Sequence, residues 1–146
     1  VNKILNGYLR PIAFYGYHTL GVHPQQCPVT TSIAVFNWGE YLGKGALEKG
    51  VRVTISPWRK FHSSSFPTTA KASGQYINSM LAARDAKEKG FDEALLLNQE
   101  GTIAEGAGQN IFIVKNNQLH TNIESSSILM GITGLDYQHH IIYHFS

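Results

Sequence analysis

The sequence has a single cysteine, Cys27, among its 146 residues, so no disulfide can form within the chain. Charged residues make up only 15% of the chain, and the net charge of +2 comes without a basic block, which gives no support for nucleic-acid binding. No apolar run approaches the ~20 residues that a membrane-spanning helix needs. A hydrophobic content of 42% is typical of a globular chain rather than a disordered one. We therefore expect a globular protein of a reducing cytoplasm, with no membrane or nucleic-acid partner.

Hydrophobic patterning predicts a mixed α+β chain. Apolar, aromatic and β-branched segments predict strands at 8–15, 30–36, 51–56, 93–98 and 118–121, and an interrupted strand at 103–115. One helix is predicted at about 73–89, where Ile77, Met80 and Leu81 fall at helical spacing and Gly90 stands at the usual stop position. Glycine-rich residues 39–50 predict a linker.

Lys71 is the first candidate for chemistry. Its neighbours from Thr68 to Gly74 are small, so a planar ligand could approach the backbone closely, and Tyr76 follows one turn later. A lysine amine becomes a nucleophile towards aldehydes when desolvation or nearby cations favour its neutral form. The alternative is an ordinary solvated lysine in front of a helix.

Glu105 is the second candidate, because it opens the stretch Glu-Gly-Ala-Gly-Gln-Asn at 105–110. A dinucleotide-binding fingerprint would need a third glycine where Ile111 stands, so that interpretation fails. Gly106 and Gly108 would let the backbone approach a flat ring, and the Glu105 carboxylate could keep a pyridine nitrogen protonated. A glycine bulge in a strand, with Glu105 exposed, is the structural alternative.

Three further groups carry weaker signals. Gly-Ile-Thr at 131–133 would form an anion site at a helix start. An arginine among aromatic residues predicts a substrate pocket that binds a carboxylate and an apolar side chain, formed by Tyr8, Arg10, Trp38 and Tyr41. Paired histidines near the carboxyl end have no set spacing to a carboxylate or cysteine, so we predict no metal site there.

Six stretches, taken in order, resemble the branched-chain amino acid aminotransferases, which belong to the D-amino-acid-aminotransferase-like group of fold-type IV pyridoxal-phosphate enzymes. They are residues 8–12, 20–22, 38–43, 69–76, 105–110 and 131–133. The resemblance implies a partial fold-type IV architecture, with the end of a small α/β domain followed by the first half of a larger β-rich domain. It implies domain limits at 1–38, a linker at 39–50, the large domain at 51–133 and an atypical tail at 134–146. Because family chains are longer, we expect the chain to be a piece of such an enzyme.

The resemblance also implies roles for individual residues. Lys71 would be the Schiff-base lysine, Tyr76 would hydrogen-bond the phenolic oxygen of pyridoxal 5'-phosphate, and Glu105 would pair with the ring nitrogen. The remaining cofactor contacts would come from Gly108 and Leu129 at the ring faces, and from Ile132 and Thr133 at the phosphate. The substrate pocket would be shaped by Tyr8, Arg10, Leu20, Val22, Trp38 and Tyr41, with Leu20 and Val22 reaching the pocket of a partner subunit in a homodimer or higher homo-oligomer.

The implied reaction is transamination of leucine, isoleucine and valine with 2-oxoglutarate, with Lys71 moving the α-proton as general base and then acid. Two alternatives share the fold: a D-amino-acid aminotransferase and an aminodeoxychorismate lyase. A third alternative is an inactive truncated chain that only binds or associates with another subunit.

Overall fold

A computed structural model describes residues 3–39, 41–132 and 134. The strands are β1 Tyr8–Tyr15, β2 Val29–Phe36, β3 Val53–Ile55, β4 Glu93–Leu97, β5 Ile103–Gly106, β6 Phe112–Lys115 and β7 Gln118–Thr121. The helices are α1 Ala46–Lys49 and α2 Tyr76–Glu88, with short 3-10 turns at Ser73–Gln75 and Glu124–Ser126. The chain divides into two compact units between Ala46 and Leu47.

The first unit is built on an antiparallel ribbon of β1 and β2, in which Tyr8 lies opposite Phe36 and Tyr15 opposite Val29. Pro11 sits inside β1, opposite Ile33. In a ribbon of two strands each strand is an edge, so the missing N–H of proline is tolerated there. Most side chains of the ribbon are exposed.

The second unit contains a sheet with the order β3-β4-β5. β3 runs parallel to β4, and β5 runs antiparallel to β4. Parallel neighbours need a long crossover, and here it contains the loop after β3 followed by α2. Lys71 lies in this connection, shortly before the first residue of α2. Glu105 lies on β5, opposite Leu96 of β4.

Small side chains join α2 to the sheet. Ala82 and Ala86 of the helix pack with Ala94 and Leu96 of β4 in the buried core. Their spacing of four residues places both alanines on one face of the helix. The larger side chains that suggested the helix, Ile77, Met80 and Leu81, are exposed instead. Close approach of the helix to the sheet therefore depends on alanine.

Two turns have positive φ values at residues that tolerate them. Gly90 has a φ of +80° just after α2, a conformation that glycine adopts without strain. Asn116 and Asn117 have φ values of 51° and 58° between β6 and β7, as a tight hairpin turn requires.

The Asp92 carboxylate, just before β4, accepts a hydrogen bond from the backbone N–H of Arg52. This hydrogen bond lowers the pKa of Asp92 below its usual range.

The interrupted strand predicted at 103–115 is two strands in two different sheets, β5 and β6. The break falls after Gly106 rather than at Glu105, because Glu105 still pairs with β4. Within the described ranges, no helix combines the length and apolarity that crossing a bilayer would require. The tail predicted at 134–146 lies outside the described residues except for Gly134.

Candidate functional site

The second unit holds an open pocket of about 430 Å³, a size typical of sites for small ligands. Four segments form it: the loop residue Lys60, residues 69–79 around the start of α2, residues 105–110 from β5 and the glycine turn after it, and residues 129–132. The structure brings six predicted cofactor residues together in its lining, namely Lys71, Tyr76, Glu105, Gly108, Leu129 and Ile132. The seventh, Thr133, lies outside the described residues.

Lys71 lines this pocket, and its amine donates a hydrogen bond of 2.9 Å to the hydroxyl of Tyr76. The adjacent backbone is held by Gln75, which is buried and whose Nε2 donates to the carbonyl of Ala70 at 2.5 Å. Lys71 itself is exposed. Its amine therefore sits on a backbone held by Gln75, with the hydroxyl of Tyr76 as its hydrogen-bond partner.

Glu105 is buried, and both of its carboxylate oxygens have partners. Oε1 lies 2.6 Å from the Lys60 amine. Oε2 accepts hydrogen bonds from Asn110 Nδ2 at 3.2 Å and from the backbone N–H of Leu129 at 3.1 Å. A carboxylate has about four lone-pair positions, so three donors leave room for one more donor from the pocket.

Lys60 is as deeply buried as its partner. The side chains of Lys60 and Glu105 are 3% and 8% exposed. The backbone of Lys60 is anchored beside the end of β4, because its N–H donates to Leu97 at 2.8 Å and its carbonyl accepts from Gln99 at 2.8 Å. Lysines are almost never fully buried without a charged partner, so the pair forms a single buried unit in the wall of the pocket.

The side chain of Asn110, which follows β5 in the chain, hydrogen-bonds to the backbone of residues 129–131. Its Nδ2 donates to the carbonyl of Leu129 at 2.9 Å, and its Oδ1 accepts the N–H of Gly131 at 3.1 Å. A Cβ added to Gly131 would lie 2.6 Å from Asn110 Oδ1. Close approach of backbone to amide therefore explains glycine at position 131.

Replacing Gly131 with alanine will displace this segment, because an atom at 2.6 Å cannot be accommodated without movement. We expect a destabilisation of about 1–3 kcal/mol in urea unfolding, together with weaker binding of any anion held by residues 129–132. Gly134→Ala is the matched control, since among the described residues its added Cβ would meet its nearest atom at an ordinary 3.9 Å. Equal behaviour of the two variants would contradict the packing argument.

A second buried carboxylate, Glu93, holds the glycine turn. It accepts hydrogen bonds from the backbone N–H of Ala107 at 3.4 Å and from Gln109 Nε2 at 2.5 Å. The turn closes with Gly106 N–H donating to the Gln109 carbonyl at 2.8 Å. These contacts fix the backbone around Gly108, which is exposed and lines the pocket.

Sequence reasoning missed three residues that build this geometry: Lys60, Gln75 and Asn110. Asn110 and Gln75 lie inside stretches that carried the family resemblance, so their position was an available signal. Lys60 gave none, because a lysine in a loop after a strand is usually solvated.

The predicted substrate residues of the first unit also cluster. The Trp38 ring lies 4.6 Å from the Tyr8 ring and 5.8 Å from the Tyr41 ring, between centroids. The Arg10 guanidinium lies 4.8 Å from the Trp38 centroid, within the range of a cation–π contact. Leu20 and Val22 lie in the loop that joins β1 to β2, and their side chains are fully exposed.

Across residues 3–39, 41–132 and 134, no three histidine, cysteine, aspartate or glutamate side chains gather as a metal site would require. The histidines noted near the carboxyl end, His139, His140 and His144, lie outside these ranges.

The model of the class IV aminotransferase family matches residues 1–134 of the chain. The curated branched-chain-amino-acid aminotransferase of Pseudomonas aeruginosa is 42% identical over 132 residues, which is 90% of this chain and 43% of that protein. Its counterpart in Escherichia coli K12 is 41% identical over 133 residues, with the same two shares of 90% and 43%. The chain thus spans less than half the length of the curated relatives it matches.

Solved structures give the same result. A crystal structure of the Escherichia coli branched-chain amino acid aminotransferase has a TM-score of 0.84 at 41% identity, covering 87% of this chain and 42% of that one. The branched-chain amino acid aminotransferase of Thermobaculum terrenum, solved in its PLP form, has a TM-score of 0.80 at 28% identity, covering 91% and 42%. The similarity extends over nearly all of this chain.

Proposed function

Because the chain belongs to the class IV aminotransferase family, we propose that the protein transfers amino groups from branched-chain L-amino acids (leucine, isoleucine and valine) to 2-oxoglutarate, with pyridoxal 5'-phosphate as cofactor. The observation that carries this proposal is the gathering of six predicted cofactor residues around one pocket. Structures of relatives in complex with pyridoxamine 5'-phosphate and in a PLP form support the choice of cofactor.

The donors and acceptors of the pocket fit pyridoxal phosphate. Lys71 offers an amine for the aldehyde, Tyr76 a phenol for the ring oxygen, and Glu105 a carboxylate for the ring nitrogen. When bound, the cofactor supplies an aldehyde that captures amines and a cationic ring that withdraws electrons from the substrate. The segment at 129–132, together with the predicted Thr133 hydroxyl, would hold the phosphate.

Lys71 moves the proton in this proposal. Its amine would take the proton from the α-carbon of the amino acid and deliver it to the carbon that carried the cofactor's aldehyde, acting first as base and then as acid. Tyr76 accepts a hydrogen bond from that amine and keeps it oriented within the pocket. Glu105 stays in place through its three protein donors, so it can accept a hydrogen bond without reorganising.

Two lysines line the pocket, and their surroundings favour Lys71 as the attachment residue. The Lys60 amine is buried 2.6 Å from the Glu105 carboxylate, so it is already engaged in an ion pair inside the wall of the pocket. The Lys71 amine contacts only the Tyr76 phenol among the described hydrogen bonds and ion pairs. The Lys71 amine can therefore meet a cofactor aldehyde without the loss of an ion pair.

The aromatic cluster of Tyr8, Arg10, Trp38 and Tyr41 supports an apolar substrate side chain. Packed rings offer an apolar wall, and a guanidinium offers a charged fork to a carboxylate. We assign the cluster to the small domain at 1–38 and, for Tyr41, to the linker at 39–50, with the large domain following at 51–133.

The proposal includes a homodimer or higher homo-oligomer. Leu20 and Val22 are fully exposed apolar residues, and covering them with a partner subunit would remove apolar surface from water. An intact protein that sediments as a monomer would contradict this part of the proposal.

The substrate choice is tested by comparing L-leucine and D-alanine as amino donors to 2-oxoglutarate in the intact protein. We expect kcat/KM for L-leucine to be higher than that for D-alanine by on the order of 10²-fold. A site that places the α-proton of an L-amino acid next to the base holds the α-proton of a D-amino acid in the wrong position. A preference for D-alanine would assign the protein to the D-amino-acid aminotransferases. Absence of 2-oxo acid product from either donor would favour a lyase or an inactive chain.

A further inference from the structure

The buried ion pair between Lys60 and Glu105 bears directly on the proposed site. Its two atoms lie 2.6 Å apart, and its side chains are 3% and 8% exposed. Breaking a buried ion pair by removing one partner is strongly destabilising, whereas replacing both by apolar residues is often neutral. Stability alone therefore does not account for a lysine at this position.

The geometry of Glu105 indicates a second reason for Lys60. Lys60 holds Oε1 from one side, while Asn110 and the Leu129 N–H hold Oε2 from the other. These donors come from three separate segments of the chain, so the carboxylate cannot rotate without losing one of them. The three donors fix the orientation of the Glu105 carboxylate, and this orientation determines the direction of its remaining lone-pair position.

Resting on the proposed function, we propose that Lys60 is a positioning residue for the cofactor ring: it fixes the orientation of the Glu105 carboxylate and balances its charge, so that one acceptor position faces the ring nitrogen. Lys60 acts through Glu105 and makes no contact with substrate in this proposal. Its own backbone is anchored to Leu97 and Gln99, which keeps its amine in a constant place.

The test measures binding of pyridoxal phosphate to the protein by absorbance titration. In Lys60→Met, an apolar side chain of similar length removes the charge and the donor. We expect the dissociation constant to rise about 10- to 100-fold, the range corresponding to loss of a hydrogen bond between charged groups, and the visible absorption band of the bound cofactor to shift. Lys60→Arg keeps a charged donor, and we expect its dissociation constant to stay within about threefold of the wild-type value.

Lys89→Met is the matched control. Lys89 also pairs with a carboxylate, that of Asp85 at 2.7 Å, but on the exposed surface of α2. Its loss leaves the dissociation constant and the absorption band unchanged. If Lys60→Met does not fold, Lys60→Gln replaces it as a neutral donor, with an expected rise between those of the arginine and methionine variants.

The outcomes separate this inference from the proposed function. Wild-type protein that binds pyridoxal phosphate, combined with a folded Lys60→Met or Lys60→Gln variant that binds it equally well with the same absorption band, would overturn the positioning role alone. Wild-type protein that does not bind pyridoxal phosphate would overturn both. A Lys60→Arg variant whose dissociation constant rises as much as that of Lys60→Met would show that Lys60 contributes packing rather than orientation of Glu105.

Discussion

Replacing Lys71 with alanine will abolish covalent attachment of pyridoxal phosphate to the protein. When wild-type protein is mixed with the cofactor and reduced with borohydride, we expect peptide mapping to find the label on Lys71. In Lys71→Ala the label falls to background, and transamination by the intact protein falls by about 10²- to 10⁴-fold or more, because the same amine also moves the α-proton. The structure supports this site since the Lys71 amine lines the pocket beside Tyr76.

The control for this experiment is Lys87→Ala, which removes an exposed lysine from the last turn of α2. It retains the full label on Lys71. Label on Lys60 in the wild type would contradict the argument that its ion pair with Glu105 keeps that amine from reacting with the cofactor. Label spread over surface lysines would show that the pocket does not select an amine at all.

Removing one member of the buried ion pair will produce the largest loss of stability. For Lys60→Met we expect a decrease of about 3–5 kcal/mol in the free energy of unfolding, because the Glu105 carboxylate is left buried without its charged partner. Glu105→Gln leaves the Lys60 ammonium facing a neutral amide and should lose less. The measurement is urea unfolding followed by circular dichroism.

The double variant Lys60→Met/Glu105→Gln distinguishes an ion pair from two independent contributions. We expect it to recover most of the lost stability, to within about 1–2 kcal/mol of the wild type, since no buried charge then remains unpaired. Glutamine still offers an oxygen to the Leu129 N–H. A double variant whose loss equals the sum of the two single losses would rule out coupling between the residues.

Secondary structure followed closely from local patterns. The strand predicted at 8–15 matches β1 residue for residue, and Gly90 follows the predicted helix with a positive φ. Such features depend on neighbours a few residues apart, which the sequence displays directly. The inward face of α2 did not follow, because alanine rather than the larger Ile77, Met80 and Leu81 packs on the sheet.

The fold-type IV architecture and the family were also predicted, and the family match over residues 1–134 and the solved relatives confirm both. This success came from six short stretches in a set order rather than from periodicity. The assigned role of each site residue stays a prediction, although Lys71, Tyr76 and Glu105 do meet at one pocket.

The sequence alone predicted most of the strands, the main helix α2, the family and Lys71 as the candidate nucleophile, because local patterns and motif order depend only on which residues follow one another. The tertiary structure decided what surrounds that lysine. Lys60 reaches Glu105 from 45 positions earlier in the chain, and Leu129 reaches it from 24 positions later. Burial, charge pairing and the open acceptor position of Glu105 arise only when the crossover, the sheet and the 129–132 segment come together, since each depends on distances through space.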